Sequence, residues 1–280
     1  MHNTFGGPPD EDARQLRDEP FGEGSNVPPD AAATLQTEDH GSMTNEMIVV
    51  CLTVAPEDEA EFTDFYHHRY IPKLLGLFPE IASVRRYVEH NVDGTLRYYA
   101  KQQLTFYKLA DGVDGTRCVA ELKTRAGREA ERIEWAAWAK DRLRGLESAC
   151  PYRKRYEHRR TPPNGTFFDG PFFMVSVETR PESKERFERW YEEIYLPRNV
   201  ADVPLWSGCR RYESVGRSPG RQLTFYETAD TESLAGALEQ MRAPHRMAEN
   251  ASWKDWDSGV DPAIVNEDAT SFRPVFRYPD

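Results

Sequence analysis

Two adjacent histidines are the first candidates for chemistry in this sequence. His67 and His68 lie in the string FYHHRYIP, and a related string, WYEEIYLP, follows 125 residues later with Glu192 and Glu193 at the histidine positions. Histidine titrates near neutrality and can move protons at physiological pH. Consecutive side chains on a helix point about 100° apart, so at most one of the two faces a cavity. Both are therefore candidate catalytic residues, and the alternative is a solvated helix surface beside Arg69.

An Arg-Arg-Tyr triplet also occurs twice, at positions 85–87 and 210–212. Side chains alternate between the two faces of a strand, so Arg85 and Tyr87 share one face, as do Arg210 and Tyr212. An arginine that reaches into a cavity would bind a carboxylate or a phenolate. These four residues are candidate substrate-binding residues, and a salt bridge to helix carboxylates is the alternative.

Aromatic residues recur at helical spacing in the same two strings. Tyr66 in the first string, and Trp190 and Tyr191 in the second, belong to apolar stripes with i, i+3, i+4 spacing. Such stripes are typical of core packing. They could also line a binding site for an aromatic molecule, so we include these three residues among the candidate substrate-binding residues.

The sequence lacks the motifs of common cofactors. It has no GxGxxG, no P-loop and no serine nucleophile elbow, and its four cysteines form no CxxC. The histidine pair with Glu61 or Asp64 is only a weak metal-ligand set. His245 is the best single candidate for an axial haem ligand, whereas His90 and His158 are assigned to the surface. We expect no metal site and no cofactor.

An internal repeat must position these residues. At an offset of 125, matched pairs run without a slip: Pro56 with Pro181, Phe62 with Phe187, Tyr66 with Tyr191, Pro72 with Pro197 and Tyr87 with Tyr212. The string QLTFY then recurs at 103–107 and 222–226, an offset of 119, because the first copy has six extra residues in its hairpin. Self-similarity of this kind indicates two copies of one structural unit.

Each copy predicts the same six elements. Short apolar runs predict strands, amphipathic stripes predict helices that end at Pro72 and Pro197, and Asp93-Gly94 and Pro219-Gly220 predict turns. The last helical regions are predicted at 125–143 and 232–256, and the last strands at 152–156 and 272–276. Strand, helix, strand, strand, helix, strand is the ferredoxin-like plan. The predicted fold class is α+β, with two tandem ferredoxin-like βαββαβ repeats and antiparallel sheets.

The strings at 65–72 and 190–197 resemble the W-Y-x-x-x-H-[IL]-P signature of EthD-like proteins in the dimeric α/β-barrel superfamily, and the Arg-Arg-Tyr triplets match the usual second strand of those proteins. The resemblance covers roughly residues 47–278. It implies two sheets that face each other around a cavity for small aromatic molecules, here as one intrachain α/β barrel. Members include cofactor-free isomerases, cyclases, decarboxylases and oxygenases, with a haem-binding minority, so the fold does not decide the function.

The chain departs from this signature at the histidine position, which holds Tyr70 in the first copy and Tyr195 in the second. A tyrosine, with an ordinary pKa near 10, is a poor base at neutral pH but a good hydrogen-bond donor or general acid. Tyr70 and Tyr195 are therefore candidate catalytic residues that would act as proton donors.

Composition limits the partners and the compartment. A net charge of -11 disfavours binding to nucleic acid or to anionic membrane surfaces. No apolar run approaches the roughly 18 to 20 residues that cross a bilayer, and no signal peptide is evident, so a cytoplasmic protein is expected. Residues 1–45 are predicted to be a disordered acidic tail, 46–160 the first repeat, 161–171 a linker and 172–280 the second repeat. Pairing into a homodimer through exposed sheet edges stays open.

Together these features predict a cofactor-independent enzyme of the lyase or isomerase type, which would catalyse cyclisation, decarboxylation or elimination of a small aromatic or polyketide-like molecule. Tyrosine and histidine would donate and accept the proton, and an arginine would stabilise the oxyanion. Two alternatives stay open. One is a non-catalytic binding protein for a hydrophobic metabolite, and the other is a cofactor-free or haem-dependent oxygenase.

Overall fold

Eight strands of the chain close into one antiparallel barrel. The computed structural model describes residues 46–92, 102–160, 169–216, 220–248 and 263–279, and these belong to one unit that begins at Met43. The strands are β1 Glu46–Val54, β2 Ile81–Glu89, β3 Gln102–Leu109, β4 Leu143–Arg159, β5 Phe172–Thr179, β6 Gly208–Ser214, β7 Arg221–Glu227 and β8 Ile264–Tyr278.

Helices pack on the outer face of the strands in both halves. They are α1 Glu59–Phe65, α2 Ile71–Leu77, α3 Gly115–Thr124, α4 Glu129–Arg142, α5 Lys184–Trp190, α6 Leu196–Asp202 and α7 Thr231–Gln240. Pro56 and Pro181 each open a short 3-10 turn that leads into α1 and α5, a position that suits a residue without an N–H. Asp114 and Asp230 cap α3 and α7, because each side chain accepts a hydrogen bond from the backbone N–H three residues further on. No helix in the described ranges is long and apolar enough to span a membrane.

A wide turn with π-helical hydrogen bonding joins the paired helices in each half. Tyr66–Tyr70 joins α1 to α2, and Tyr191–Tyr195 joins α5 to α6. Pro72 and Pro197 lack an N–H and crowd the carbonyl four residues earlier, so the turn before each proline widens to hydrogen bonds between residues five apart. The prediction that the helices end at these prolines is therefore wrong, since both continue through α2 and α6.

The strand order around the barrel is β4-β1-β3-β2 followed by β8-β5-β7-β6, which is two ferredoxin-like sheets joined at their edges. One seam is the pairing of β2 with β8, and the other is the pairing of β4 with β6. Every neighbouring pair is antiparallel, and β5 lies an even number of steps from β1, so the two strands run in the same direction. Equivalent residues of the two halves therefore lie at the same end of the barrel.

Three apolar clusters hold this arrangement together. Two of them lie between the helices and the outer face of each sheet. The third fills the barrel interior and draws on both halves: Met47, Val49, Tyr87, Leu104, Phe106, Cys150, Tyr152, Phe172, Met174, Tyr212, Leu223, Phe225 and Phe272. Alternate residues of one strand thus serve two different cores.

The back half of each repeat departs from the predicted bounds. Within the region predicted at 125–143, the helix α4 begins only at Glu129, and a separate helix, α3, ends before the region at Thr124. The turn between the two helices contains Gly127, which has a φ of 86°. In the second half α7 ends at Gln240, and residues 244–248 are helical again. The final strands are much longer than predicted, because β4 and β8 each pair with a strand of their own sheet and with a strand of the opposite sheet. The predicted Asp93-Gly94 turn lies outside the described residues.

Candidate active site at one end of the barrel

The aromatic candidates on the helices pack against the outer face of the sheets: Tyr66, Tyr70, Trp190, Tyr191 and Tyr195. The hydroxyl groups of Tyr66 and Tyr107 share a hydrogen bond of 2.5 Å, and the rings of Tyr66 and Tyr70 stack with centroids 5.0 Å apart. Tyr191 and Tyr195 form the equivalent stack at 5.3 Å. Burial raises the pKa of Tyr66 and Tyr70, so both phenols stay neutral at physiological pH.

The two histidines have different surroundings. His67 is 8% exposed, its ring stacks on Phe276 with centroids 4.0 Å apart, and its Nε2 lies in hydrogen-bond contact with Arg86. Burial and the positive charge of Arg86 lower the pKa of His67 to about 3. His67 is therefore neutral at physiological pH and accepts a hydrogen bond from the arginine. His68 is exposed on the same turn.

A buried arginine lies beneath each wide turn and explains the difference between the halves. Arg86 and Arg211 are both 0% exposed, and each donates to a glutamine on the neighbouring strand. Arg211 also donates to Glu192 and to Glu188, whereas Arg86 also donates to His67. The exchange of histidine for glutamate thus changes the acceptor of a buried structural cation.

The strand-borne candidates face the other way. As the alternation of strand side chains predicts, each arginine shares a face with its tyrosine, and that face is the buried interior side of the strands for Arg85, Tyr87, Arg210 and Tyr212. A β-sheet separates them from the tyrosines and histidines of the helices. The structure therefore does not bring the two groups together, and one small substrate cannot contact both.

Aromatic rings fill the middle of the barrel. The ring of Phe106, from the first half, lies 5.9 Å from Phe172 and 5.4 Å from Phe225 of the second half. Tyr87 lies 4.7 Å from Phe172. The two sheets therefore meet in a packed core at this level, and space for a ligand has to be sought at a barrel end.

A cavity of about 150 Å³ opens at the end of the barrel where β1 begins and β3 ends. Its walls come from β1, β3 and β4 of the first half and from β6 of the second half. It is lined by Glu46, Met47, Lys108, Lys154, Glu157, Arg159, Arg210 and Tyr212. The structure thus brings Arg210 and Tyr212 together in a place to which both halves contribute.

A β-bulge shapes one wall of this cavity. The pairing of β4 with β6 shifts by one residue between Lys154 and Tyr156, which leaves Arg155 without a direct cross-strand partner. Lys154 and Glu157 are three positions apart and would face opposite sides of a regular strand. Because the bulge adds one residue, both side chains face the cavity.

Ion pairs tie the charged lining residues together. The Nζ of Lys154 lies 3.1 Å from Glu157, and the Nε of Arg210 lies 3.8 Å from the same carboxylate, which Arg159 also contacts. Glu46 is turned away from them. It accepts hydrogen bonds from Arg153, outside the lining, at 2.7 Å and 2.9 Å.

Three groups at this end have shifted pKa values. Burial alone would raise the pKa of Glu157, but Arg210 and Lys154 outweigh it, and the pKa lies below its ordinary range. Burial raises the pKa of Tyr212, against the opposing effect of Arg210. Glu227, which lies 3.2 Å from Arg210, has a pKa raised by burial. The cavity therefore presents an ionised carboxylate and a neutral phenol side by side with an arginine.

The equivalent place in the other half is built differently. Met47 of the cavity corresponds to Phe172, Lys154 to Pro274 and Glu157 to Arg277. The Asp169 carboxylate lies 3.3 Å from Arg277 on that side. The lining residues of the cavity are therefore not repeated in the other half, although the barrel that carries the cavity has two similar halves.

Sequence reasoning found Arg210 and Tyr212 but missed Lys108, Lys154 and Glu157. A signal existed, because Lys108 aligns with Glu227 at the offset of 119 at which QLTFY recurs. Such a reversal of charge between the halves is the same kind of difference that drew attention to the histidine pair. In contrast, the side of β4 on which the Glu157 side chain lies depends on a bulge that no sequence pattern indicates.

The structure also places the residues that were considered as metal or haem ligands. Among the described residues, no group of three or more His, Cys, Asp or Glu side chains could hold a metal ion. His245 is exposed in a helical segment, of which residues 244–248 are described, and lies away from the cavity lining, so it does not suit an axial haem ligand inside the barrel. His90 and His158 are half-buried.

Solved structures of other proteins share this fold, among them the following two. One is provisionally described as a monooxygenase from Fusobacterium nucleatum, with a TM-score of 0.50 and 12% identity over 85% of this chain and 94% of that chain. The other, an anthrone oxidase-like protein, has a TM-score of 0.54 and 10% identity over 83% of this chain and 92% of that chain. No family of known sequences and no curated protein matches the chain by sequence. The likeness shows the ferredoxin-like, dimeric α/β-barrel type of fold, formed here within one chain.

Proposed function

We propose that the chain is an enzyme that moves protons on a small molecule bound in the barrel-end cavity, without a cofactor. The observation that carries this proposal is the presence of Glu157 and Tyr212 in one cavity lining, with Arg210 as the cross-strand partner of Glu157. The carboxylate is ionised and the phenol is neutral, which are the states required of a base and of an acid.

The roles follow from these charges. Glu157 would accept a proton from the substrate, and Tyr212 would donate one to the atom that becomes negative. Arg210 would stabilise the developing negative charge, because a fixed cation in a site with little water acts strongly on an oxyanion. Isomerisation, elimination and decarboxylation require no further group. The reaction class predicted from the sequence is retained, whereas the proton-transfer role passes from Tyr70, Tyr195, His67 and His68 to residues of the barrel interior.

The cavity also sets the size of the reacting part of the substrate. An engineered protein cavity of about 150 Å³ holds benzene, and the cavity described here has the same volume. One aromatic ring, or an acyclic fragment of similar size, fits inside. A multi-ring molecule would have to extend out of the barrel.

A deuterium-exchange screen tests the proposal. The protein is incubated in D2O with a panel of small ketones, phenols, unsaturated acids and oxo acids, and the loss of C–H signals is followed by proton NMR. We expect the wild type to exchange protons of at least one compound. Glu157→Gln and Tyr212→Phe should slow that exchange by about 100-fold or more, since positioned acids and bases contribute about 10²- to 10⁴-fold.

Glu185→Gln is the matched control, because this substitution makes the same chemical change at an exposed position of α5. Exchange that survives in both cavity variants would contradict the proposal. A compound that binds tightly to the wild type and is recovered with all its protons would instead support a binding protein.

Oxygenation of a small electron-rich aromatic molecule is a second candidate, because one structural neighbour is provisionally described as a monooxygenase and the other as anthrone oxidase-like. The substrate itself would reduce dioxygen. An oxygen electrode with hydroxylated aromatics separates the two candidates, since proton transfer alone consumes no oxygen.

We also infer that the chain arose by tandem duplication of an EthD-like unit. The recurrence of FYHHRYIP as WYEEIYLP and the identical QLTFY strings support this inference. The wide turn that precedes the proline in both halves is a further likeness between them.

A further inference from the structure

Two uncharged side chains connect the cavity to the barrel interior. Met47 and Tyr212 line the cavity, and both also belong to the apolar cluster that fills the barrel. They are 1% and 3% exposed, whereas the lining residues Lys154, Glu157 and Arg159 are partly exposed where the cavity opens. The apolar part of a bound molecule would therefore lie against this methionine and this tyrosine, because apolar surface is stabilised away from water.

Met47 lies between the cavity and the deeper interior. It is near the start of β1, at the end of the barrel where the cavity opens. The next residue on the same face of β1 is Val49, which belongs to the interior cluster but does not line the cavity. Val49 lies opposite Phe106 of β3 and Cys150 of β4, both in that cluster. The length of the methionine side chain therefore limits how far a ligand can reach into the barrel.

The two halves carry side chains of different size at this level of the barrel. At the offset of 125, Met47 and Val49 of β1 correspond to Phe172 and Met174 of β5, and all four belong to the interior cluster. At both positions β1 carries the smaller residue. The ring of Phe172 packs with its centroid 5.1 Å from that of Phe225. A phenyl group at this position thus fits among the interior rings, whereas the methionine lies beside a cavity.

From these observations we infer that Met47 is a specificity-determining residue, which limits the bound part of the substrate to a single aromatic ring. This inference rests on the proposed function, because it concerns the substrate of the same cavity. One ring would pack between the thioether of Met47 and the ring of Tyr212, with its polar substituent toward Arg210. Methionine suits this place, since its polarizable sulfur makes favourable contacts with aromatic rings. A second fused ring would need the space that the methionine side chain occupies.

Binding of phenol and 2-naphthol tests the inference. Both probes are neutral at physiological pH and carry one hydroxyl group, and they differ by one fused ring. We expect the wild type to bind phenol more tightly by about 10-fold or more, since one methylene in an apolar pocket already changes recognition by about 10- to 200-fold. Met47→Ala should reverse this preference, because it removes the side chain that excludes the second ring. Met47→Phe, which installs the residue of the other half, should weaken phenol binding by about 10-fold or more.

Two measurements report the binding and its place. Isothermal titration calorimetry gives the affinities for both probes. NMR of the protein with isotope-labelled methionine methyl groups shows where phenol binds, and Met47→Ala identifies the signal of Met47 among those of the six methionines. That signal should shift on addition of phenol more than the signal of Met174, which lies in the same cluster but does not line the cavity.

Met174→Ala is the matched control, because it makes the same chemical change in the same apolar cluster away from the cavity lining. It should keep the preference for phenol. Met47→Val also shortens the side chain and suits a strand, so it serves if Met47→Ala does not fold, and it should shift the preference in the same direction. A wild type that binds neither probe, or both equally, would overturn the inference. An equal gain in 2-naphthol affinity in Met174→Ala and Met47→Ala would overturn it as well.

The two proposals fail in different ways. A phenol preference that Met47→Ala reverses, in a protein that exchanges protons with none of the compounds, would support the size limit and contradict proton transfer. Proton exchange that Glu157→Gln slows, together with equal binding of phenol and 2-naphthol, would do the reverse.

Discussion

Replacement of His67 by glutamine should remove a large part of the acid sensitivity of this protein. In the folded chain the imidazole is buried against Arg86, and its pKa is lowered to about 3. In the unfolded chain histidine has a pKa of about 6.5. Between these two values the unfolded chain binds a proton that the folded chain does not, so the free energy of unfolding falls as the pH drops below about 6.5.

The size of the effect follows from that window. About pH 5 lies roughly 1.5 pH units below the pKa of His67 in the unfolded chain, and each unit is worth about 1.36 kcal/mol. The titration of His67 should therefore lower the free energy of unfolding by about 2 kcal/mol between about pH 8 and about pH 5. A glutamine at this position can still accept from Arg86 through its amide oxygen but does not titrate. His67→Gln should therefore lose about 2 kcal/mol less than the wild type between the two pH values.

Urea unfolding followed by tryptophan fluorescence at the two pH values measures this difference. His68→Gln controls for the loss of a histidine from the same turn and should retain the acid sensitivity of the wild type. Carboxylates also titrate in this range, but they are shared by all three proteins and cancel in the comparison. If His67→Gln and the wild type lose stability equally on acidification, the coupling of His67 to Arg86 is not what the geometry indicates.

Two further substitutions test the packing of the barrel. Phe106→Ala should destabilise the protein by about 3 to 5 kcal/mol, because it opens a cavity where the two halves meet, and urea unfolding should remain a single transition that shifts as a whole; two separate transitions would show that the halves do not share this core. Gly208→Ala should cost about 1 to 3 kcal/mol, since its new methyl group would lie 2.6 Å from the carbonyl oxygen of His158 across the β4–β6 seam; an unchanged melting temperature in a thermal scan would contradict that packing.

Much of the fold can be predicted from this sequence, because its repeat aligns every front-half element with a counterpart. The continuation of the helices past their prolines could not be predicted from the sequence. A proline normally ends a helix, yet the helices at Pro72 and Pro197 continue, since the turn before each proline widens by one residue. That change from hydrogen bonds between residues four apart to residues five apart is not reported by sequence spacing.

The candidate site shows the same limit. Alternation along a strand predicts that Arg210 and Tyr212 share a face, and the structure shows that this is the interior face. It would place Lys154 and Glu157 on opposite faces, and the bulge in β4 brings them to the same one. The position of the helix-borne histidines and tyrosines was harder to foresee, because a stripe that packs on the outside of a sheet has the same periodicity as one that lines a cavity.

The covalent link between the two halves has a consequence for how such a barrel can change over time. A barrel made from two identical subunits is bound by symmetry, so any substitution appears on both sides at once. Here Lys108 and Glu227 occupy matched positions and carry opposite charge. One chain can therefore place a cation at one of two matched positions and a carboxylate at the other, an arrangement that a homodimer of the same shape could not encode.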